Sequence, residues 1–469
     1  MRHLLPLLFL VTSILHAQPE KILETWKKDK DLHYASISWS VRDLSSLKIL
    51  SEHLPHTLLI PASTQKIFCT ATALSSFGPD YRFETTLCYT GTLDKIKGVL
   101  KGDLIIVGSG DPSLHSKYTG SGNITDKWAT ELFKAGIRSI EGGVIGDASA
   151  FPKAIPSNWL YEDVSNYYGA GVCALNYADN LFTLTFNSGE AGTQASLSGM
   201  RPVYESQPYQ ITHSVMASGR SDEAYVYGDP SSFTRSVNGT IPPNKKNYEL
   251  DATLPDPALL CAESLQKSLL AQGISCKKNA KSRYQSAASE QLTLVHTHFS
   301  LPLKQLVQIT NQYSNNLYCE ALRFLLGKGD AEKGLQEIKK NASNYGVDTS
   351  GLFLADASGL SRLNGCTTDA QCLFLINALK NQKISPIFLQ SLPVSGKSGS
   401  LATLGKGTFL ENNLAAKSGY MTRARAYTGY LKTKSGKELV FSVIINNFSC
   451  SGKAMKPKFE AFLLSLAEL

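Results

Sequence analysis

Three short motifs in this chain combine a serine hydroxyl with a lysine amine or a carboxamide. They are Ser63-Thr64-Gln65-Lys66, Ser314-Asn315-Asn316 and Lys417-Ser418-Gly419. A serine hydroxyl is a poor nucleophile until a neighbouring base accepts its proton, and a lysine with a lowered pKa can be that base. The residue types therefore predict nucleophilic acyl transfer.

The first motif depends on the element that carries it. A spacing of three places both side chains on one face of a helix, so the Lys66 amine can reach the Ser63 hydroxyl. The sequence predicts a helix from Ser63 to Phe77, after a strand that Pro61 ends, and a helix N-terminus directs N–H groups towards developing negative charge. Three further S-x-x-K matches fall in a turn, an amphipathic helix and a polar stretch, where solvent exposure explains them: Ser45 with Lys48, Ser264 with Lys267, and Ser275 with Lys278.

The other two motifs are common by chance, and a helix N-cap would explain Ser314 equally well. On a loop, the Ser314 hydroxyl can pass a proton to a leaving amine and the Asn316 amide can bind a substrate backbone. Lys417 can hold a substrate carboxylate with Ser418, and Gly419 permits close approach to an edge-type strand. The same short patterns recur at Ser121-Gly122-Asn123, Ser236-Val237-Asn238, Lys397-Ser398-Gly399 and Lys434-Ser435-Gly436.

Hydrophobic periodicity predicts the elements that position these motifs. A hairpin over residues 35–60 begins with a half-buried strand at 37–41, and its return strand ends near Ile60. Short strands and turns follow from 85 to 297, with strands at 102–108, 142–147 and 181–186 and a helix at 258–272. Further helices are predicted at 303–309, 317–326, 331–345 and 370–379, strands at 414–418, 426–431 and 439–446, and a final helix at 456–469. We expect the hairpin and the last strands to form one antiparallel sheet flanked by helices, with the β-rich middle inserted.

Composition narrows the class of protein. The 469 residues are 42% hydrophobic and 18% charged, which is typical of a compact globular enzyme. The net charge of +8 is scattered without a Lys/Arg block, so we expect no nucleic-acid partner. The nine cysteines are dispersed, show no metal-binding spacing and favour buried free thiols. No nucleotide or metal signature occurs, so the sequence predicts neither a cofactor nor a metal.

The first residues resemble a signal peptide. A short basic start, Met1 to His3, precedes an apolar stretch from Leu4 to Leu15 and a small residue, Ala17, at a cleavage point. The stretch is too short to span a bilayer comfortably, so an N-terminal anchor is the weaker alternative. The sequence predicts a signal peptide at 1–17 and a secreted, periplasmic protein without stable membrane insertion.

The order of the three motifs matches the set found in β-lactamases and penicillin-binding proteins. The chain resembles the class C low-molecular-mass penicillin-binding proteins, the D-alanyl-D-alanine carboxypeptidase/endopeptidase family. About 250 residues separate Ser63 from Ser314, an insertion that ordinary β-lactamases lack. The segments that carry the resemblance are Leu59-Ile60-Pro61-Ala62-Ser63-Thr64-Gln65-Lys66, Gly108-Ser109-Gly110-Asp111-Pro112, Tyr167-Tyr168-Gly169-Ala170, Ser358-Gly359-Leu360-Ser361-Arg362 and Lys417-Ser418-Gly419.

The resemblance implies an α/β (α+β) fold with a penicillin-binding, serine β-lactamase-like catalytic domain. That domain would comprise residues 18–86 and 298–469. A β-rich insertion of two domains would interrupt it, with domain II at 87–179 and 255–297 and a nested domain III at 180–254.

The resemblance also implies catalytic roles. Ser63 would attack the carbonyl between two D-alanines while Lys66 accepts its proton. Backbone N–H groups of Ser63 and Tyr420 would form the oxyanion hole. Ser314 and Lys417 would relay the proton to the leaving D-alanine.

Substrate binding follows the same resemblance. Asn316 would bind the substrate amide, and Lys417 and Ser418 would hold the terminal carboxylate beside Gly419. The implied partners are peptidoglycan stem peptides, with β-lactams as covalent inhibitors. Many relatives carry a threonine where this chain has Ser418 and a small hydroxyl residue where it has the bulky Tyr420.

Relatives also have a pocket for the amino end of a diaminopimelate-type side chain. Trp159, Glu162, Tyr167 and Met421 are the residues of this chain that correspond to it. Asp163 is the alternative acid to Glu162.

Two alternatives remain open. A β-lactamase or esterase of the same fold would need efficient deacylation, for which the sequence shows no dedicated acid. A non-catalytic wall-binding module would be expected to lack Ser63 or Lys66, and both are present. The balance of carboxypeptidase and endopeptidase activity and the oligomeric state are left undecided.

Overall fold

The computed structural model describes residues 18–120, 122–286 and 290–469. The predicted signal peptide, residues 1–17, lies outside the described residues. The chain forms two compact units: the first comprises the described residues up to Pro79, Val307–Asn315 and Glu332–Leu469, and the second Asp80–Leu306 and Asn316–Ala331. No helix in the described ranges is long and apolar enough to cross a membrane.

The α-helices of the described chain, in order, are α1 (Gln18–Lys28), α2 (Lys66–Phe77), α3 (Ile124–Lys134), α4 (Pro257–Ala271), α5 (Leu303–Gln312), α6 (Asn316–Leu326), α7 (Ala331–Asn344), α8 (Thr368–Lys380), α9 (Ser385–Ser391) and α10 (Gly452–Leu466). The strands are β1 (Ser36–Asp43), β2 (Ile49–His53), β3 (Glu84–Tyr89), β4 (Thr92–Asp94), β5 (Val99–Lys101), β6 (Leu104–Val107), β7 (Ser139–Ile140), β8 (Val144–Asp147), β9 (Leu181–Asn187), β10 (Ser196–Arg201), β11 (Gln210–Ala217), β12 (Glu223–Tyr227), β13 (Thr234–Ile241), β14 (Tyr248–Thr253), β15 (Ser275–Cys276), β16 (Lys281–Arg283), β17 (Thr293–Phe299), β18 (Leu352–Phe353), β19 (Gly365–Cys366), β20 (Leu414–Met421), β21 (Ala424–Lys432) and β22 (Glu438–Asn446).

The first unit is built on a five-stranded sheet in the order β2-β1-β22-β21-β20. Every neighbouring pair in it is antiparallel, as the sequence predicts. Helices α1 and α10 cover one face, where Trp26, Trp39 and Phe462 pack together. Helix α8 packs on strands β1, β21 and β22. Strand β20 is last in the order of strands, so no further strand of this sheet pairs with its outer side.

The prediction of a half-buried first strand is wrong. The apolar residues of β1 face α1 and α10, but Ser38 and Ser40 are also fully buried. The Ser38 hydroxyl lies 2.8 Å from the Thr368 hydroxyl on α8 and donates to the Leu54 carbonyl at 3.0 Å. Small hydroxyl side chains let a helix approach the sheet closely, so the alternation marks two buried faces of different polarity.

Several element boundaries also differ from the prediction. Strand β2 ends at His53 rather than near Ile60, because Leu54 adopts a left-handed conformation with φ 46°. The predicted helix from Ser63 starts as a 3-10 turn, Ala62–Gln65, and becomes α-helical at Lys66. Strand β20 continues to Met421, so Lys417 lies within the strand rather than at its end.

The second unit is mainly β-structure. It contains the five-stranded sheet β16-β8-β6-β3-β17, the four-stranded sheet β15-β7-β5-β4 and the three-stranded sheets β10-β9-β14 and β11-β13-β12. Helix α3 was not predicted, although Asn123 accepts a hydrogen bond from the Thr125 amide as its N-cap. The six strands β9–β14 lie between residues 181 and 253. The division of the insertion into domains II and III stays a prediction.

Asp111 of the second unit is a buried carboxylate with only one oxygen hydrogen-bonded. Its Oδ1 accepts from the Ser113 amide at 2.7 Å and the Ser113 hydroxyl at 2.6 Å, whereas Oδ2 has no partner among the described residues. Burial raises the pKa of Asp111 from 3.8 to about 6, although the hydrogen bonds from Ser113 lower it. The folded state therefore binds this proton more tightly than the unfolded chain, and stability falls as the pH rises from about 4 to about 6.

Replacing Asp111 by asparagine is expected to stabilise the fold at pH 7.5. The amide stays neutral, so the variant avoids burying a charge, a gain of about 1–3 kcal/mol. Thermal melting of both proteins at pH 7.5 and pH 4 measures the effect, and the advantage of Asp111→Asn should vanish at pH 4, where the wild-type carboxyl is protonated. An equal difference at both pH values would contradict the role assigned to the charge.

Candidate active site

Ser63 and Lys66 of the first unit form a hydrogen-bonded pair. The Lys66 Nζ atom lies 2.9 Å from Ser63 Oγ and donates to the Ser358 carbonyl at 2.6 Å. The Lys66 side chain is fully buried, where a polar group is stable only with hydrogen-bond partners. The Lys66 amine is thus held within proton-transfer distance of the Ser63 hydroxyl, as the spacing predicts.

A loop after β18 contacts the helical turn that carries Ser63 and Lys66. The Gln65 amide donates to the Asp356 carbonyl at 2.6 Å and to Asn364 Oδ1 at 3.0 Å. Gly359 has φ +80°, and a Cβ there would lie 2.0 Å from the Ala62 carbonyl oxygen. The residue types of this loop do not indicate a role in catalysis, and only the family resemblance points to residues 358–362.

Ser314 and Lys417 form a second pair in the same unit. Lys417 is fully buried on β20, and its Nζ donates to Ser314 Oγ at 2.9 Å and to the Ser418 carbonyl at 2.8 Å. Ser314 follows α5 with φ 56°, a left-handed conformation that is rare for a residue with a side chain. Strained backbone of this kind persists where the surroundings hold a side chain in a required position.

The backbone of β20 approaches the Ser63 amide. A Cβ added to Gly419 would lie 2.6 Å from the Pro61 carbonyl oxygen and 3.0 Å from the amide nitrogens of Ser63 and Thr64. Only glycine permits this contact between the edge strand and the 3-10 turn. Gly419 thereby brings the strand that carries Lys417 next to Ser63.

The Tyr420 amide faces the open side of the sheet. On that side, the Ala416 amide donates to the Pro393 carbonyl at 3.0 Å, and the Leu414 carbonyl accepts from the Ser395 amide at 2.9 Å. Because the pattern of an antiparallel strand repeats every two residues, the N–H groups of Ser418 and Tyr420 point the same way. The Tyr420 N–H is therefore directed to the edge where Gly419 meets Ser63.

The side chain of Tyr420 lies on the face of the sheet opposite Lys417. A Cβ built on Gly452, at the start of α10, would lie 2.6 Å from the Tyr420 hydroxyl oxygen. The guanidinium of Arg425 lies 5.4 Å from the centre of the Tyr420 ring. The ring thus packs towards α10.

Ser400 is a site residue that the sequence reasoning missed. Its hydroxyl lies 2.7 Å from the Ser418 hydroxyl, and both side chains are accessible. Ser400 follows Lys397-Ser398-Gly399, one of the places where the short K-S-G pattern recurs. Gly399 adopts φ +55° and packs against Gln312 at the end of α5, so the loop is held beside β20. A pair of hydroxyls suits a carboxylate ligand.

The remaining predicted residues lie in different units. In the second unit, the Asn316 amide donates to the Tyr168 carbonyl at 2.7 Å. Glu162 and Tyr167 are exposed on the segment that begins with the buried Trp159, while Met421 belongs to the first unit. The hydroxyl of Tyr168 is hydrogen-bonded to Asp163, which leaves Glu162 as the more accessible acid. The roles of these residues stay predictions.

The side chains gathered around Ser63 carry hydroxyl and amino groups rather than the thiolate, imidazole and carboxylate groups that usually bind metal ions in proteins. Within the described ranges, no three His, Cys, Asp or Glu side chains lie close enough together to hold a metal. All nine cysteines are described, and none of them is in a disulfide. The chemistry supported here is proton transfer between serine and lysine.

The antiparallel sheet and the serine–lysine pairs are typical of the penicillin-binding class of serine-type peptidases. Residues 20–468 match the family D-Ala-D-Ala carboxypeptidase 3 (S13), and the chain belongs to that family. It is a serine-type D-Ala-D-Ala carboxypeptidase, and the predicted family and fold are confirmed.

Individual relatives agree with this assignment. The chain is 29% identical over 434 residues to the D-alanyl-D-alanine carboxypeptidase of Actinomadura sp. (strain R39), with 87% of this chain and 77% of that protein covered. It is 23% identical over 438 residues to D-alanyl-D-alanine carboxypeptidase DacB of Haemophilus influenzae, with 90% and 88% covered. The crystal structure of penicillin-binding protein 4 (DacB) from Haemophilus influenzae has the same fold, with a TM-score of 0.79 at 22% identity and 96% and 98% of the two chains covered.

Proposed function

We propose that this chain cleaves the D-Ala-D-Ala bond of peptidoglycan stem peptides through an acyl-enzyme on Ser63. The observation that carries the proposal is the 2.9 Å contact between Lys66 Nζ and Ser63 Oγ beside the edge strand β20. Lys66 accepts the hydroxyl proton as Ser63 attacks the carbonyl carbon of the penultimate D-alanine. The N–H groups of Ser63 and Tyr420 stabilise the oxyanion that forms.

Collapse of this intermediate requires a proton on the leaving group. The C–N bond breaks, and Ser314, which is hydrogen-bonded to Lys417, donates a proton to the departing D-alanine amine. The proton that Lys66 took from Ser63 then restores the Ser314 hydroxyl, so Lys66 is again a free base. An ester between Ser63 and the shortened peptide remains. Water attacks that ester while Lys66 takes up its proton, and this proton passes to Ser63 Oγ as the ester C–O bond breaks, which releases the peptide and restores the Ser63 hydroxyl.

The proposed site also provides groups that bind the terminal carboxylate of the substrate. Lys417 supplies the positive charge, and the hydroxyls of Ser418 and Ser400, 2.7 Å apart, supply hydrogen bonds on the open side of β20. Asn316 binds the substrate amide, as the family resemblance implies. An enzyme that requires a carboxylate next to the cleaved bond acts as a carboxypeptidase, and cross-linked peptides that present the same group would be cleaved as by an endopeptidase.

A β-lactam would acylate Ser63 in the same way and remain attached, because its opened ring cannot diffuse away as D-alanine does. The structure of Haemophilus influenzae penicillin-binding protein 4 complexed with a β-lactam supports this part of the proposal by similarity. Glu162, Tyr167, Trp159 and Met421 would receive the amino end of the diaminopimelate-type side chain. We place the enzyme in the periplasm, exported by the signal peptide at residues 1–17.

Three substrates test the proposal. Incubation of the purified protein with a pentapeptide ending in D-Ala-D-Ala should release D-alanine, and a free amine on the diaminopimelate-type residue should raise kcat/KM. A cross-linked dimer measures endopeptidase activity. Fluorescent penicillin should remain covalently attached, whereas rapid release of hydrolysed penicillin without D-alanine release would show a β-lactamase instead. If the protein neither binds penicillin covalently nor releases D-alanine, the proposal fails in favour of a binding module.

A further inference from the structure

The second unit contains an open cavity that the proposed chemistry does not use. Its volume is about 640 Å³, within the range of roughly 300–1000 Å³ that is usual for small-molecule sites. The lining combines acids, bases and aromatic rings, chiefly His115, Lys117, Tyr177, Asp179, Arg201 and Asp251. These side chains come from separated stretches of the chain, so the fold assembles the cavity.

The charges of the cavity are paired with one another. Lys117 Nζ lies 2.8 Å from Asp251 Oδ2, and Arg201 lies 2.6 Å from Glu249. The remaining guanidinium and carboxylate positions of these half-exposed pairs can still bind a ligand. Such a lining offers many hydrogen-bond donors and acceptors with little net charge. It suits a neutral ligand rich in hydroxyl and amide groups better than an ion.

Besides Asp251 and Glu249, the cavity lining contains a third carboxylate, that of Asp179, which is buried. Its Oδ1 accepts from the Ser116 hydroxyl at 2.5 Å, and its Oδ2 accepts from the Lys117 amide at 2.9 Å. Burial raises the pKa of Asp179 above its ordinary value, and both of its oxygens already accept hydrogen bonds from the protein. This group therefore acts as a fixed acceptor rather than as a source of strong attraction for cations.

An aromatic face lies in the same cavity. The imidazole of His115 stacks on the Tyr177 ring, with centroids 5.2 Å apart and an angle of 16° between the planes. Tyr177 is only 3% exposed, while His115 is exposed. One face of the imidazole is thus covered and the other meets solvent. A flat ring with one open face can pack against the apolar C–H face of a sugar.

The backbone that shapes the cavity is unusual. His115 has φ 54°, and Ala178, Asp179 and Asn180 are three successive left-handed residues, with φ 53°, 56° and 54°. The Asn180 side chain fixes this turn, because its Nδ2 donates to the Gly171 carbonyl at 2.9 Å and its Oδ1 accepts from the Tyr177 amide at 3.0 Å. Such conformations persist only where surrounding structure holds them, and they are frequent at ligand sites.

The cavity adjoins the substrate-binding residues of the same unit. Ser116 accepts a hydrogen bond at 2.8 Å from Tyr318, two residues after Asn316 on α6. Asn316 donates to the carbonyl of Tyr168, whose neighbour Tyr167 interacts electrostatically with Lys117 and Asp251 of the cavity lining. An extended stem peptide of five residues spans up to about 17 Å. A peptide bound at Asn316 can therefore lead its attached sugar to this cavity.

We propose that this cavity is a saccharide site for the glycan strand to which the stem peptide is attached. The inference rests on the proposed function, since it extends the substrate from the peptide to the glycopeptide. The stacked imidazole receives the sugar ring, and the paired charges with Asp179 hydrogen-bond its hydroxyl and acetamido groups.

The test compares two substrates and a neutral sugar probe. A disaccharide-linked pentapeptide should show a KM about tenfold lower than the bare pentapeptide, an effect of about 1.4 kcal/mol. His115→Asn should remove this advantage without changing kcat or KM for the bare pentapeptide, because asparagine tolerates the left-handed backbone but has no ring. Saturation-transfer NMR with an N-acetylglucosamine disaccharide should detect binding to wild type and to Ser63→Ala but not to His115→Asn.

His56→Asn, a change of an exposed histidine in the first unit, is the matched control and should leave both readouts unchanged. Asp251→Asn is a second variant, which should weaken disaccharide binding if His115→Asn does not fold. The saccharide site is refuted if the disaccharide binds wild type and His115→Asn equally, or if the cavity variants alter KM for the bare pentapeptide, which would indicate a peptide site. Loss of D-alanine release from both substrates by wild type would refute the proposed function, while sugar binding could still be observed.

Discussion

Replacing Ser63 by alanine is expected to lower kcat for D-alanine release by about 10⁴-fold or more. The variant has no oxygen to form the acyl-enzyme, so it should also show no covalent labelling by fluorescent penicillin. Lys66 would retain its hydrogen bond to the Ser358 carbonyl, which keeps the buried amine partnered. Little change in stability is therefore expected, and D-alanine release, labelling and thermal melting together measure these effects.

Ser275→Ala is the matched control for this experiment. Ser275 belongs to another S-x-x-K sequence, but it lies exposed on β15 of the second unit. This control should keep wild-type labelling and turnover. If Ser63→Ala were labelled at the wild-type rate, the assignment of the nucleophile would be wrong, and if it failed to melt cooperatively, the loss of activity would carry no information about mechanism.

The contact of Ser63 with Lys66 could be predicted because it is local. A spacing of three residues on a helical turn fixes which side chains meet, whatever the rest of the fold does. The hydrogen bond from Lys417 to Ser314, between residues 103 positions apart, has no such local cause. That contact could be predicted only from the order of the motifs and from the resemblance to a family.

Contacts made by backbone atoms could not be predicted from the sequence. Every residue carries a carbonyl, so nothing in the residue types indicates that Ser358 would supply the one that accepts from Lys66. Ser400 was missed because its neighbours repeat a motif in a Gly/Ser-rich stretch, and only the fold brings its hydroxyl to Ser418. The burial of Ser38 and Ser40 on β1 was not predicted, because an alternation of apolar and polar residues indicates the polarity of the two faces but not their exposure to solvent.

Gly419 shows how a backbone contact can nevertheless be tested. Gly419→Ala is expected to lower the rate of acylation by penicillin and kcat for D-alanine release by about 10²–10³-fold. The new methyl group would lie 2.6 Å from the Pro61 carbonyl oxygen and 3.0 Å from the Ser63 amide nitrogen, and these backbone atoms cannot rotate away. The strand must move outwards, which separates the Tyr420 N–H from the Ser63 N–H, and a misplaced oxyanion donor costs about this much.

A structural effect must be distinguished from a catalytic one. Overpacking is expected to lower the free energy of unfolding by about 1–3 kcal/mol, which thermal and denaturant melting will measure. Gly199→Ala is the matched control, because Gly199 also lies in a strand but its added Cβ would be 3.8 Å from the nearest heavy atom, in Thr185. That variant should acylate at the wild-type rate. Acylation of Gly419→Ala within about twofold of wild type would show that the close approach of β20 does not set the oxyanion geometry.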